Sequence, residues 1–484
     1  MKRVLNAAQM KFCDEKEINE RTPSHVLMER AAEKVLEVVK TMNTKKVLFV
    51  CGSGNNGGDG LLCAVMACGE GIDCDVMFVG REEKCTPECA RRLDEARKIG
   101  VRFVETFEFA NYTLIVDAIF GIGLNSDVTG KYADVINAIN ESGAEVLSVD
   151  IPSGVFADNG GGEVTVKADV TVAIQAYKFG NLYSEANGKL LCCDIEIPTD
   201  VEGAPCALED ADIPKLLPKR KADSNKGTYG RVLVVGGEVG MCGAVYLSAL
   251  AAYRCGAGLV EILTSEENRL ALQTLLPEAV LTCVSWEDAD LRKVNASLER
   301  ADAVCVGMGM GQSMGALRLL RFVLDTAGKK LVMDADALNL CAKHGLSIPG
   351  GSVITPHPME LSRLTKITVT TLKADLLYYA KEFSRERNIT VIAKDYRSVI
   401  ASNTTSYINV SGTPAMAKGG SGDVLSGAVA AFLCRGMTSE SAAALAAFVH
   451  GRAGEKCASE MGENGVLARE IADRMARVLM EAGR

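Results

Sequence analysis

Short runs of almost entirely apolar residues recur along the chain, separated by stretches of helix length. In the first half these runs are KVLFVCG, CDVMFVG, LIVDAIFG, EVLSVDIPSG and DVTVAIQA. Strands that are apolar on both faces and alternate with helices are typical of a parallel sheet covered on both sides. The pattern therefore predicts a three-layer α/β fold for the first half. Ahead of it, PSHVLMERAAEKVLEVVKTM has apolar residues at helical spacing, which predicts a helix with Pro23 near its first turn.

A second series of the same kind occupies the second half of the chain. Its runs are GRVLVVGGE, ADAVCVGMGMG, KLVMDADALN, GSVITPHPME and TVIAKD, which predict another α/β domain. Between the halves, residues 198–221 hold four prolines and end in the basic run KRK, a composition typical of a linker. We therefore expect two domains, spanning residues 1–205 and 212–484.

Size and charge narrow the classes of function. A chain of 484 residues exceeds what one hydrophobic core usually supports, which agrees with two domains. The formal net charge of -9 disfavours binding to nucleic acid or to an anionic membrane, so small molecules are the expected partners. The N-terminal stretch lacks the apolar segment of a secretory signal, and the 17 cysteines are then expected as reduced thiols in the cytoplasm.

A glycine-rich loop, CGSGNNGGDG, follows the first predicted strand and opens a helix. Gly52, Gly54 and Gly57 have the spacing of a dinucleotide-binding turn, which makes the first half Rossmann-like. The loop also carries Asn55, Asn56 and Asp59, whose oxygens suit a polar ligand and a hard cation. The alternative is that the glycines serve only a tight strand-to-helix turn.

Two further strands of the first half end in acidic residues. Asp117 follows one strand, and Asp150 with Ser153 follows the next. The carboxyl ends of parallel strands lie on one edge of a sheet, so these residues and the NNGGDG loop are expected to converge on one crevice. Any one of the aspartates could instead cap a helix or stabilise a turn.

These stretches of the first half resemble the NAD(P)HX epimerase domain. The resemblance is carried by GNNGGDG, VDAIFGIGL, SVDIPSG and the KFG that begins at Lys178. NAD(P)HX is the hydrated, damaged form of the reduced nicotinamide cofactor, and the epimerase interconverts its two stereoisomers. The resemblance implies K⁺ bound by Asn56, Asp117 and Ser153. Asp117 is either a metal ligand or a proton-transfer group. The implied substrate contacts are Asn55, Asn56, Gly57, Gly58, Asp59, Gly121, Ile122, Gly123, Leu124, Asn125, Ser126, Asp127 and Asp150.

The second half contains GGSGD immediately before the apolar run VLSGAVAAFL. It resembles the anion hole of ribokinase-like kinases, in which amides at a helix N-terminus stabilise a transferring phosphoryl group. That resemblance makes Asp423 a general base and the amides of Gly419, Gly420, Ser421 and Gly422 the anion hole. The alternative is a glycine-rich helix start capped by Ser421.

Together with TYGRVLVVGGE, VMDADALN and TPHPME, this loop resembles the ADP-dependent NAD(P)HX dehydratase, which has a ribokinase-like fold. The resemblance implies Mg²⁺ bound with ADP or ATP, and phosphoryl transfer that converts the hydroxyl of the hydrated cofactor into a leaving group. The implied contacts to the hydrated cofactor are Ala244, Gly309, His357 and Asp423. Gly422 is the implied contact to the nucleotide.

One loop departs from that family. Where the family has a nucleotide loop that begins Lys-Gly and ends in Thr, this chain reads Lys394, Asp395, Tyr396, Arg397 and Ser398. Asp395 adds a negative charge near the nucleotide, and Arg397 is the residue expected to offset it. The choice between ADP and ATP depends on this loop.

The prediction from the whole chain is a bifunctional repair enzyme, and the family suggests a homo-oligomer. A second hypothesis is a ribokinase-like small-molecule kinase fused to a nucleotide-binding module. A third makes the first half a sensing or partner-binding module without turnover.

Overall fold

The computed structural model describes residues 1–106, 109–326, 328 and 330–483. The chain divides into two compact units, Lys2–Ala204 and Pro205–Arg484, with Met1 grouped with the second. Across the described ranges, the structure has no helix with the length and apolar character needed to cross a membrane.

The N-terminal unit alternates strands and helices. Its strands are β1 Lys2–Leu5, β2 Val47–Cys51, β3 Cys74–Phe78, β4 Arg102–Phe103, β5 Leu114–Ala118, β6 Glu145–Val149, β7 Val170–Ile174, β8 Tyr177–Lys178 and β9 Lys189–Cys193. Its helices are α1 Ala7–Glu20, α2 Ser24–Val39, α3 Asn55–Gly69, α4 Pro87–Ile99, α5 Lys131–Glu141 and α6 Phe179–Tyr183.

A seven-stranded parallel sheet in the order β4-β3-β2-β5-β6-β7-β9 forms the centre of this unit. Successive residues of a strand face opposite sides of a sheet, so Phe49 packs in one core and Leu48 and Val50 in another. The two cores lie on the two faces, which confirms the predicted three-layer α/β fold. All five predicted strands are present, and Pro23 immediately precedes α2.

The C-terminal unit repeats the alternation. Its strands are β10 Cys206–Ala207, β11 Arg231–Val235, β12 Leu259–Ser265, β13 Val280–Val284, β14 Ala303–Val306, β15 Lys330–Met333, β16 Val353–Ile354, β17 Thr390–Ala393, β18 Val399–Ala401 and β19 Ser406–Ile408. Its helices are α7 Ile213–Leu216, α8 Cys242–Arg254, α9 Arg269–Leu275, α10 Leu291–Arg300, α11 Met314–Thr326, α12 Ala335–His344, α13 Pro358–Thr365, α14 Val369–Ala374, α15 Leu376–Arg387, α16 Ser421–Cys434, α17 Ser439–Met461 and α18 Ala468–Ala482.

The strands of the C-terminal unit are ordered β13-β12-β11-β14-β15-β16-β17-β18-β19-β10. Pairing is parallel from β13 to β17 and antiparallel from β17 through β18 to β19. Val234 packs in the core on one face and Val235 in the core on the other. Helix α16, which carries the GGSGD motif at its start, lies in the first of these cores.

The proline-rich segment 198–221 is more structured than a linker. It contains β10 and α7, and Ile213 is buried in the core of the C-terminal unit. The composition was misleading because Pro214 lies in the first turn of α7, where proline is well tolerated.

Candidate active sites

A cleft of about 730 Å³ lies in the N-terminal unit, beside the carboxyl ends of β2, β5 and β6. Many of the predicted substrate contacts line it: Asn55, Asn56, Asp59, Gly121, Ile122, Gly123, Leu124 and Asp150. The remaining predicted contacts lie outside the cleft lining: Gly57, Gly58, Asn125, Ser126 and Asp127. The Asp127 carboxylate instead accepts a hydrogen bond from the amide of Glu163.

Gly57 and Gly58 are buried by helix packing. A Cβ on Gly57 would lie 2.0 Å from the carbonyl oxygen of Gly52, and one on Gly58 would lie 2.6 Å from Met28 Cε. Neither position has room for a side chain, so these glycines bring α3 close to its neighbours. The tight turn therefore accounts for Gly57 and packing against α2 for Gly58, whereas Asn55 and Asp59 face the cleft.

Asp117 is fully buried beneath the cleft rather than on its surface. Its carboxylate accepts hydrogen bonds from Ser148 Oγ at 2.8 Å, from Ser153 Oγ at 2.5 Å and from the Ser153 amide at 2.8 Å. Burial raises the pKa of Asp117, and the hydrogen bonds from Ser153 and Ser148 oppose that rise. Of the three acidic residues expected to converge, Asp59 and Asp150 line the cleft, and Asp117 is buried outside its lining.

The three residues implied as K⁺ ligands are brought together around one backbone carbonyl. Asn56 Nδ2 donates to the carbonyl oxygen of Phe120 at 3.0 Å, and Ser153 Oγ lies 3.4 Å from the same oxygen. Ser153 also joins this group to Asp117. The available donors are amide, carboxylate, hydroxyl and carbonyl oxygens, which is the chemistry a hard cation requires.

A buried lysine neutralises one acidic residue of the cleft. Lys178 is 1% exposed, and its Nζ forms an ion pair with Asp150 and donates to the carbonyl oxygen of Ile174 at 2.8 Å. Asp150 has a left-handed φ of 66°, and its carbonyl oxygen accepts a hydrogen bond from Asn181. A residue held in a rarely populated conformation needs such support from its surroundings.

The second site is built on the first turn of α16. Gly420 precedes the helix with a φ of 95°, which favours glycine, and Asp423 lies in the first turn. The Ser421 hydroxyl donates to the carbonyl oxygen of Met416 at 2.8 Å, so it caps no amide of α16. Burial, reinforced by the negative charge of Asp334, raises the pKa of Asp423 to about 7, and Lys394 opposes that rise. This pKa suits a general base near neutral pH.

An ion pair lies beside the glycines of this turn. Lys394 Nζ donates to Asp334 Oδ1 at 3.0 Å, and Ser426 Oγ donates to Asp334 Oδ2 at 2.7 Å. A Cβ on Gly422 would lie 3.2 Å from Lys394 Nζ. Because glycine has no side chain, the lysine ammonium lies close to the N-terminus of α16. The lysine and the helix amides together form an environment that favours a phosphate.

The remaining predicted contacts of the hydrated cofactor divide into two groups. Ala244 and Gly309 are neighbours, because a Cβ on Gly309 would lie 3.2 Å from Ala244 Cβ. His357 caps α13, and its Nδ1 accepts hydrogen bonds from the amides of Met359 and Glu360. Burial and the positive charge of Lys394 lower the pKa of His357. Its Nδ1 is thus engaged within the protein, and its Nε2 lies 3.5 Å from Glu360 Oε1.

The charge of Asp395 in loop 394–398 has a partner outside the loop. Asp395 forms an ion pair with Lys373 at 3.2 Å. Arg397 donates to the carbonyl oxygen of Val410 at 3.0 Å and lies over the ring of Tyr396. The Ser398 hydroxyl donates to the carbonyl oxygen of Asp395 within the loop. Lys373 is distant in sequence, so inspection of the loop alone could not identify it as the compensating charge.

Comparisons with known proteins agree with this geometry. Residues 232–477 match the family model described as NAD(P)H-hydrate dehydratase, and residues 24–180 match that described as YjeF-related protein N-terminus. A relative from Moorella thermoacetica, the bifunctional NAD(P)H-hydrate repair enzyme Nnr, is 33% identical over 98% of this chain and 96% of its own. This chain belongs to the family of bifunctional NAD(P)H-hydrate repair enzymes.

Other members of the repair-enzyme family match to a similar extent. The Coxiella burnetii enzyme is 35% identical over 92% of this chain and 93% of its own. Among solved structures, an ADP/ATP-dependent NAD(P)H-hydrate dehydratase from Bacillus subtilis, co-crystallised with ATP and Mg²⁺, is 31% identical with a TM-score of 0.52, covering 57% of this chain and 99% of its own. A ribokinase-like protein from Enterococcus faecalis is 27% identical with a TM-score of 0.53, covering 57% and 96%. The predicted ribokinase-like fold of the second half is confirmed.

Sequence reasoning on this member of the repair-enzyme family missed several residues of the two sites. Asp14 and Met10 of α1 line the N-terminal cleft, and Asp334 pairs with Lys394 in the C-terminal site. From the sequence, Lys178 is only the first residue of the KFG stretch that resembles the epimerase domain. Asp334 lies in the stretch VMDADALN, whose resemblance to the dehydratase was the signal that could have identified it. Asp14 lies on a largely polar helix whose sequence pattern does not single it out.

Proposed function

We propose that the chain repairs hydrated NADH and NADPH in two steps. Residues 1–205 interconvert the R and S forms of NAD(P)HX, and residues 212–484 dehydrate the S form to NAD(P)H at the expense of ADP or ATP. The observation that carries the proposal is that one chain matches both family models and presents a polar site in each unit. Since damage yields both stereoisomers, joining the two activities allows complete repair.

The dehydratase step uses the arrangement at the start of α16. Asp423 takes the proton from the hydroxyl of the hydrated ring as that oxygen attacks the terminal phosphate. The amides from Gly419 to Gly422, with Lys394 beside them, stabilise the negative charge of the transferring group. The ring nitrogen then expels phosphate, and loss of a proton from the neighbouring ring carbon to solvent restores the carbon–carbon double bond of the dihydropyridine. With ADP, the products are AMP and phosphate.

Mg²⁺ is expected to enter with the nucleotide. Among the described residues, no group of three or more His, Cys, Asp or Glu side chains could hold a metal ion. Mg²⁺ commonly binds through only one or two carboxylates together with substrate phosphates, so a site with two carboxylates is sufficient once the nucleotide is bound. Asp334 caps α12 and Asp336 lies in its first turn, and we assign the Mg²⁺ contacts to these two carboxylates. The ion would neutralise phosphate charge.

K⁺ is the proposed ion of the N-terminal unit. Asn56, Asp117, Ser153 and the carbonyl oxygen of Phe120 offer oxygens of the required type within one hydrogen-bonded group. The ion would position the loop that carries Gly121 to Leu124 along the cleft. Asp117 then acts as a ligand rather than as a proton-transfer group, because it is fully buried and lies outside the cleft lining.

One assay tests the proposed function. Purified S-NADHX is mixed with the full chain, Mg²⁺ and either ADP or ATP, and NADH formation is followed together with nucleotide and phosphate products. We expect NADH to appear with one phosphate released for each NADH. A stable phosphorylated product without NADH would favour the small-molecule kinase. We also propose a cytoplasmic homo-oligomer, and light scattering of the purified chain checks its assembly.

A further inference from the structure

The N-terminal cleft contains an acidic residue for which the site described above supplies no role. Asp14 lies on α1, a helix whose start is stabilised by a capping box at Asn6. Met10, Asp14 and Ile18 recur at intervals of four residues, and all three line the cleft. A regular, capped helix therefore presents the Asp14 carboxyl to the same space as Asn55, Asp59 and Asp150.

Burial and the neighbouring charges place the pKa of the Asp14 carboxyl near neutral pH. Lys178 is committed to Asp150 and to the carbonyl oxygen of Ile174. In the described part of the chain, the causes acting on Asp14 are burial and charge, with no hydrogen bond among them. Burial raises the pKa of Asp14 to about 7; Asp150 and Glu15 act in the same direction, and Lys178 opposes them. Burial also raises the pKa of Asp59, where Asp150 and Asp14 reinforce the effect.

Epimerisation at the hydrated carbon requires proton transfer at its oxygen. That carbon bears a hydroxyl group and the ring nitrogen, so the nitrogen lone pair can expel the oxygen once it is protonated. The carbon–oxygen bond breaks, a carbon–nitrogen double bond forms, and water departs. Water then adds to the other face and gives its proton to a carboxylate. The cycle involves no oxidation and no net change in protons.

We propose that Asp14 is a catalytic acid–base group of this cleft and that Asp59 is its partner: the protonated member of the pair donates a proton to the departing hydroxyl group, and the ionised member takes the proton from the returning water. This inference rests on the proposed epimerase activity and adds to it the groups that carry the proton. The Lys178–Asp150 pair is a positioning element, which limits the negative charge facing the cationic intermediate. Acid–base groups of this kind typically contribute on the order of 10² to 10⁴ in rate.

The test uses the full chain and both stereoisomers of NADHX. Interconversion of R and S forms is followed by chromatography or NMR in the absence of nucleotide, for wild type, Asp14→Asn, Asp14→Glu and Glu20→Gln. Glu20 is an exposed acidic residue at the end of the same helix and serves as the matched control. We expect Asp14→Asn to slow interconversion at least 10²-fold, Asp14→Glu to recover part of the rate, and Glu20→Gln to match wild type.

Two readouts separate this role from a structural one. Dehydration of purified S-NADHX with ADP should proceed at the wild-type rate in every variant, and denaturant unfolding of the full chain should match wild type, which together show that both units are folded. The wild-type interconversion rate should change with pH near 7, and Asp14→Asn should lose that dependence. An Asp14→Asn variant that keeps the wild-type rate and pH profile overturns the assignment. If the wild-type chain interconverts the R and S forms no faster than buffer does, the proposed epimerase activity itself is wrong. That result differs from an active wild type with an equally active Asp14→Asn variant, which rejects only the role of Asp14.

Discussion

Lys394 Nζ lies 3.0 Å from Asp334 Oδ1, and both side chains lie against the first turn of the helix that carries Asp423. The pair connects residues 60 positions apart in sequence. The two charges act on Asp423 in opposite directions, since Asp334 raises its pKa and Lys394 lowers it. The pKa of the proposed base is raised first by burial, and this contact between residues that follow two strands adjusts it further.

The Asp423→Asn variant tests the proposed base. The amide is similar in size but cannot accept the proton, so dehydration of S-NADHX should slow on the order of 10² to 10⁴-fold. Absorbance of the NADH formed provides the measurement. Asp325→Asn, at an exposed position of α11, should retain the wild-type rate. Near-normal turnover in Asp423→Asn would contradict the assigned role.

The pH dependence of dehydration follows from the raised pKa of Asp423. A general base works in its deprotonated form, so kcat/KM should rise with pH through about 7 and then level off. Because Lys394 lowers the pKa of Asp423, Lys394→Met should move this midpoint to higher pH. The profiles are measured with saturating nucleotide. A midpoint that stays constant or falls in Lys394→Met would refute the coupling.

Gly420→Ala should destabilise the C-terminal unit. The residue has a φ of 95°, and an added Cβ would lie 2.5 Å from Leu247 Cδ1. The left-handed conformation alone costs about 1–2 kcal/mol for a residue with a side chain. Gly419→Ala is the matched control, since a Cβ there meets no atom within 4 Å. Denaturant unfolding of both variants should show a loss of stability for Gly420→Ala only.

Variants of Ser148 and Ser153 distinguish K⁺ binding from hydrogen bonding to Asp117 alone. Ser153→Ala and Ser148→Ala each remove one hydroxyl hydrogen bond to that carboxylate. Ser153 belongs to the proposed ligand set, whereas Ser148 does not. Epimerisation rates are compared in KCl and in choline chloride at equal ionic strength. We expect the stimulation by K⁺ to be lost in Ser153→Ala and kept in Ser148→Ala. Equal stimulation in both variants would exclude Ser153 as a ligand.

Local sequence determined the architecture of this protein. The apolar runs predict the strands, because most residues on a strand buried on both faces are apolar whatever their distant neighbours are. Glycine-rich loops such as CGSGNNGGDG and GGSGD mark the strand-to-helix turns for a similar reason, since tight backbone approach is a local requirement. The resemblance to the repair-enzyme family rests on these same short stretches.

Tertiary structure decided which side chains share a site and in which protonation state. Asp14 belongs to the N-terminal cleft only because α1 packs there, and Asp395 forms an ion pair with Lys373, which lies outside its loop. The pKa values of Asp14 and Asp423 are raised first by burial, which depends on residues far away in the chain. Desolvation and charge pairing act through space, so the order of residues along the chain does not specify them.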